Sequence, residues 1–218
     1  EVLTYIPKKQ QTETKQVIDQ INGFDAYCEK ARKVLSADAY NYLSFIDKKQ
    51  IVTAFGLLEA IKDNSISLPL YNPVVYPVAK AFEGFILKMM MEKEAFTIEE
   101  YKDNPETAKI GNWLRNQKFN KYIKDPRRDG YVNSSLIAAW EGIRCEELHS
   151  DPMRNALSMD IITIEQAEAK IGAVCNAITS GYNIIIKNGY TEKEMVAMQN
   201  NKKQDIPHTL KELPRSEE

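Results

Sequence analysis

From Ile164 to Ile185, apolar side chains recur at every third or fourth position: Ile164, Ala167, Ile171, Val174, Ile178, Tyr182 and Ile185. A strand turns alternate residues to one side, so this spacing makes a continuous apolar face only on a helix of about 3.6 residues per turn. Such a face must be buried against other helices. The rest of the chain supplies them. The same step runs through Val17, Ile21, Phe24, Cys28, Ala31 and Leu35, through Ile51, Phe55, Leu58 and Ile61, and through Val75, Val78, Phe82, Phe85 or Ile86, and Met89. Only Ile66, Leu68 and Leu70 alternate, within a linker over 64–71 that reads as extended, and no second strand is present to pair with it. The expected fold is all-α, with a bundle of long helices at its centre.

The helix ends are written in cap residues. Thr163 and Gln166 have the spacing of a capping box, in which each side chain satisfies the other's backbone amide, and Gly189 suits the far end of that helix. Ser36 caps a short helix through Tyr42 and Leu43, while Asp47-Lys48-Lys49-Gln50 has the acid-x-x-Gln pattern of a second box. Asn72-Pro73 opens a long helix ending near Glu94, and Asn104-Pro105 repeats that signal ahead of Ile110, Trp113 and Leu114. Asp129-Gly130 marks a turn, after which a helix over about 133–148 carries Leu136, Ile137, Trp140 and Ile143 inward. A last amphipathic helix covers 191–200. The organisation expected is an N-terminal helical segment (1–71) packing on a core bundle (72–200), followed by a polar tail (201–218).

A net charge of -2 and a pI near 5.9 exclude a polycation, so any nucleic-acid binding must come from a local patch. Such a patch stands at 115–130, where Arg115, Lys118, Lys121, Lys124, Arg127 and Arg128 are opposed only by Asp125 and Asp129. Phe119, Tyr122 or Tyr131 offer surface on which bases could stack. The plainer reading is a solvated face. Cys28, Cys145 and Cys175 have neither metal-ligand spacing nor the pattern of a disulfide framework, which points to a reducing cytoplasm and to no metal or other cofactor. No apolar run approaches the roughly 20 residues needed to cross a bilayer.

Chemistry concentrates in Ile143-Arg144-Cys145-Glu146-Glu147-Leu148-His149-Ser150-Asp151-Pro152. Five positions along a regular helix is about 500° of rotation, so Arg144 and His149 converge only if the helix unwinds near Leu148, as the following Asp-Pro permits. A guanidinium is a permanent cation suited to phosphate, and an imidazole exchanges protons near neutral pH. Together they could cleave RNA without metal, one stabilising the charged phosphorane and the other serving the 2'-hydroxyl or the 5'-oxygen. The plainer alternative is a pair of cations drawn to a helix C-terminus by its dipole. Glu83, on the edge of the apolar stripe around Phe82, needs a cationic partner. Arg144 or His149 would serve, and so would Lys80, three positions earlier on the same helix.

The Arg144 to His149 motif at a helix end in an all-α domain resembles the Arg-x4-6-His signature of the HEPN ribonuclease superfamily. More narrowly, Ala39-Tyr40-Asn41-Tyr42-Leu43-Ser44, the 72–91 helix with Lys80-Ala81-Phe82-Glu83-Gly84-Phe85, and the motif itself resemble the catalytic domain of RNase LS-type toxins of type II toxin-antitoxin pairs. The resemblance runs in order through about 14–190. It implies a HEPN-like helical bundle with additional flanking helices, and metal-independent cleavage of RNA to 2',3'-cyclic phosphate and 5'-hydroxyl ends. It also implies a site formed by Arg144, His149 and Glu83, a homodimer, and control by a cognate antitoxin. Many members carry a polar residue directly after the arginine, where this chain has Cys145. The rival reading is a catalytically inactive HEPN-like subunit that binds a partner or a nucleotide.

Overall fold

In a computed structural model, the described residues are 24–63, 68–93, 98–103, 110–145, 163–191 and 193–198, with the backbone alone described at Phe24, Ile98, Glu100, Tyr101, Arg144 and Cys145. All regular structure among them is helical. The helices are α1 (Phe24–Leu35), α2 (Ala37–Tyr42), α3 (Phe45–Lys62), α4 (Asn72–Glu92), α5 (Ile98–Asp103), α6 (Ile110–Arg115), α7 (Asp129–Trp140) and α8 (Ile164–Gly181). Two 3-10 turns, Asn120–Tyr122 and Pro126–Arg128, join α6 to α7. Wider π-helical turns extend α7 over Glu141–Cys145 and α8 over Tyr182–Lys187. The expected all-α architecture is the one observed.

The long helices α4 and α8 form the centre. α3 packs along α4, and α8 is flanked by α1, α3, α4 and α7. The apolar stripes meet there: Val75, Val78, Phe82, Phe85, Ile86 and Met89 of α4 are all buried, as are Ala167, Ile171, Val174, Ile178 and Ile185 in and after α8. The core is continuous from Ala31 in α1 to Ile185, so helices on both sides of the 64–71 linker contribute to one interior. Burying a Leu, Ile or Phe side chain is worth about 1.5–3 kcal/mol, which makes this shared interior the main support of the bundle.

Local signals set most of the boundaries. Thr163 accepts from the Gln166 amide at 3.2 Å and the Gln166 side chain accepts from the Thr163 amide at 3.1 Å, completing the expected box. Ser36, at φ 66°, breaks α1 from α2 and caps the latter by accepting from Ala39. The start of α3 needs correction. Ser44 is its N-cap, accepting from the Asp47 amide at 3.2 Å and donating to Asp47 Oδ2 at 2.6 Å, so Asp47 stands within the first turn of the helix rather than at its cap. α4 begins at Asn72 as expected, but Asn72 is its first residue and Tyr71, which makes no capping side-chain bond, precedes it. α7 starts earlier than expected, because Asp129 stands in its first turn, where the helix dipole favours a carboxylate, and Gly130 follows within the helix. The first half of the N-terminal helix, the start of the 64–71 linker, the Asn104-Pro105 start and the 201–218 tail lie outside the described residues.

Candidate functional site

The turn that contains Arg144 is built from the end of α7. At Trp140 the regular helix gives way to the π turn Glu141–Cys145, which buries Ile143 in the core. Single π turns inside helices are found frequently at functional sites. This one is held from two sides. Lys170 of α8 donates its ammonium to the Gly142 carbonyl at 2.9 Å, and the turn packs against α4. His149 and the Ser150-Asp151-Pro152 that follows lie outside the described residues.

Glu83 lies on α4, the helix against which that turn packs. Its Oε2 accepts from Lys80 Nζ at 2.9 Å, so the i,i+3 pairing anticipated as the plain explanation does form. Lys80 is not its only interaction. With 23 % of its side chain exposed, the carboxylate sits at the rim of the core rather than in it. Beside it, Gly84 lets α3 approach closely: a Cβ there would lie 2.2 Å from Asp47 Oδ1.

The other segment quoted for the resemblance, residues 39–44, meets α4 through Tyr42. The Tyr42 ring packs edge-on to Phe85 at 5.9 Å and against Tyr182 at 5.2 Å, while Lys88 lies 4.0 Å over its face. Its hydroxyl donates to Glu92 at 2.9 Å. Burial, then the neighbouring Glu92 carboxylate, push the Tyr42 phenol far above its ordinary range. Asp47, only 8 % exposed, has its carboxyl pushed up by burial, against the opposing hydrogen bonds from Ser44 and the charge of Lys88.

The six cations of the basic stretch are all exposed, but they do not line a free loop. Arg115 ends α6 and lies against Gly111 of its own helix, and Lys118 follows in the turn. Lys121 sits 4.9 Å over the Tyr122 ring, Lys124 pairs with Glu194 at 2.7 Å, and Arg127 grips Asp125 at 3.0 and 3.2 Å. Arg128 stands 3.6 Å from the same carboxylate. The stacking platform needs correction. Phe119 is fully buried against Trp113 at 5.2 Å, and Tyr122 is buried with its hydroxyl donating to the Lys93 carbonyl. Tyr131, 63 % exposed, keeps the availability expected of it.

Sequence reasoning missed the residues that meet the basic stretch from the other end of the chain. Lys124, Asp125 and Arg128 share a cavity with Ile184 and Asn188, which belong to the end of α8. Nothing in local spacing announces that meeting. Among the described residues no three His, Cys, Asp or Glu side chains converge as a metal site would require, and no helix is long and apolar enough to cross a membrane. No protein-family model, curated protein or solved structure matches the chain.

Proposed function

We propose that this chain is a HEPN-type endoribonuclease, acting in the cytoplasm as the toxin of a toxin-antitoxin or anti-phage defence pair. The observation that carries the reading is the meeting of two elements: the π turn containing Arg144 packs against the helix that carries Glu83. With the Arg144 to His149 motif in the sequence, that meeting supports a site built across α4 and the end of α7. The 2'-hydroxyl of RNA attacks the adjacent phosphorus and gives up its proton, and the bond to the 5'-oxygen breaks as that oxygen takes one. His149 serves as general acid or base in this exchange. Arg144 binds the phosphate and stabilises the extra negative charge of the phosphorane, and Glu83 orients one of them. The products are a 2',3'-cyclic phosphate and a 5'-hydroxyl. The basic stretch from Arg115 to Arg128 holds the strand, two copies bring their motifs together, and a cognate antitoxin restrains the pair.

The test is expression of the chain and of Arg144→Ala and His149→Ala, followed by incubation of each purified protein with bulk RNA in EDTA. Growth arrest and cleavage by the parent, lost in both variants, are expected. Variants as toxic as the parent would overturn the mechanism. Cys145, in the place where many HEPN proteins have a polar residue, favours a second reading: a helical domain without catalysis that docks a partner or binds a nucleotide. RNA left intact by the parent chain in EDTA would select it.

A further inference from the structure

Where the basic stretch meets the end of α8 there is a cavity of about 380 Å³, lined by Lys124, Asp125, Arg128, Ile184 and Asn188. Small-ligand sites run from roughly 300 to 1,000 Å³, so this one suits a single nucleotide-sized ligand.

Its walls are held in place from both chain segments. The π turn lets the Asn188 amide donate to the Asn183 carbonyl at 3.1 Å, and the Asn188 side chain donates to the same oxygen at 2.7 Å. Gly189 then passes so close to Tyr122 that a Cβ would lie 2.7 Å from its carbonyl oxygen, and Tyr190 N–H donates to that oxygen at 2.7 Å. Across the cavity, Asp125 caps the Pro126–Arg128 turn by accepting from the Arg127 amide at 3.2 Å.

The lining offers donors for an anion. Arg128 Nε is 3.6 Å from Asp125, too far for a hydrogen bond, so that carboxylate does not consume its donors. Lys124 gives one of its three N–H groups to Glu194. The Asp125 carboxylate is occupied by Arg127 through two bonds. Asn188, with one amide hydrogen committed to Asn183, retains its carbonyl oxygen for a donor, and Ile184, a core residue only 8 % exposed, closes the floor. Phosphate and base edge are each matched by one kind of group.

We propose that this cavity binds a nucleotide unit, its phosphate on Arg128 and Lys124 and its base edge at Asn188. The unit comes either from a free nucleotide or from one residue of an RNA strand. The site rests on the proposed function only in that the basic stretch faces a nucleotide, and its binding is measured apart from cleavage.

Calorimetric titration of the full chain with AMP, and separately with a short 2'-O-methyl oligonucleotide that cannot be cleaved, tests it. Saturable binding of at least one probe is expected. Arg128→Ala should weaken it about tenfold, as loss of a charge-assisted hydrogen bond would. Asp125→Asn should tighten it by removing a like charge from the lining. Lys33→Ala, an exposed cation on α1 outside the basic stretch, should leave it within about twofold. Binding of AMP identifies a free-nucleotide pocket, and binding of the oligonucleotide alone identifies a strand subsite. Binding of neither probe overturns the proposal, and so does equal weakening by Lys33→Ala and Arg128→Ala, which would mean diffuse attraction. A chain that binds AMP but spares RNA keeps the cavity and loses the nuclease. One that cuts RNA with no response to Arg128→Ala does the reverse.

Discussion

Asp47, in the seam between α3 and α4, and Asp125, on the basic surface, are the same side chain under opposite forces. Burial pushes the Asp47 carboxyl up. At Asp125, the Arg127 guanidinium holds the carboxyl below the usual range, and Glu194 nearby is drawn down to about 2, chiefly by Lys124. The seam therefore holds a carboxyl where burial opposes its charge, whereas the surface stretch keeps its charges in the open and pairs Lys124 with Glu194 and Arg127 with Asp125. Shape should dominate the first region and ionic strength the second.

The largest effect is expected where shape rules. Gly84→Ala places a methyl 2.2 Å from Asp47 Oδ1, and Asp47 cannot swing aside without giving up its bond to Ser44. Overpacking of this kind costs roughly 1–3 kcal/mol, against the gain of about 1 kcal/mol that alanine brings to a helix interior. A net loss of up to about 2 kcal/mol in urea melts is expected, partly recovered in the double variant Gly84→Ala, Asp47→Ala. A more stable single variant would show that the seam has slack.

Asp47→Asn should come next, because it keeps an acceptor for Ser44 and removes the charge. A carboxyl whose pKa is higher folded than unfolded destabilises the fold when ionised. That cost is absent below the unfolded pKa, grows as pH rises between the two values, and is constant above the folded one. The variant should therefore melt above the parent at pH 7, and the gap should close as the pH falls into the acid range. Glu194 has the opposite sign: its contribution is whole above its ordinary value of 4.5 and is lost as pH falls toward about 2. A gap that widened in acid would contradict the assignment at Asp47.

The same contrast explains what was legible in advance. The three-and-four spacing marked the apolar faces of α1, α3, α4 and α8 because burial follows helix periodicity directly. Thr163 and Gln166 were legible because a capping box is local. Ser44-x-x-Asp47 and Asp47-x-x-Gln50 both carry cap spacing, and the choice between them falls to the packing of Asp47 against Gly84, on another helix. Phe119 and Tyr122 looked like a stacking surface because a basic run with interleaved aromatics reads the same whether the rings face outward or inward. Their partners, Trp113 and the Lys93 carbonyl, decide it. Of the candidate site, the Lys80–Glu83 pair could be anticipated from one helix turn. The seating of the Arg144 turn on α4, and the cavity shared with Ile184 and Asn188, depend on contacts between distant segments.

Lys170→Met probes the link between interior and site. It removes the ammonium that donates to the Gly142 carbonyl, at a cost of about 1 kcal/mol, while keeping the length of the side chain. On the proposed function, RNA cleavage should fall through kcat with KM held, because the turn carrying Arg144 loses a support and the basic stretch does not. A fall in KM-dependent binding alone would place the effect elsewhere.

The smallest effect belongs to Arg127→Ala. The side chain is 89 % exposed, and its pairing with Asp125 competes with water and salt, so the melting temperature should not move. The Asp125 carboxyl, released from its principal cation, should titrate at higher pH than in the parent, nearer its ordinary value, an upward shift readable by carbon NMR of the side chain. High salt should produce part of the same shift in the parent. If the variant instead melted markedly lower, the two 3-10 turns would depend on this ion pair, and the basic surface would share the structural character of the seam.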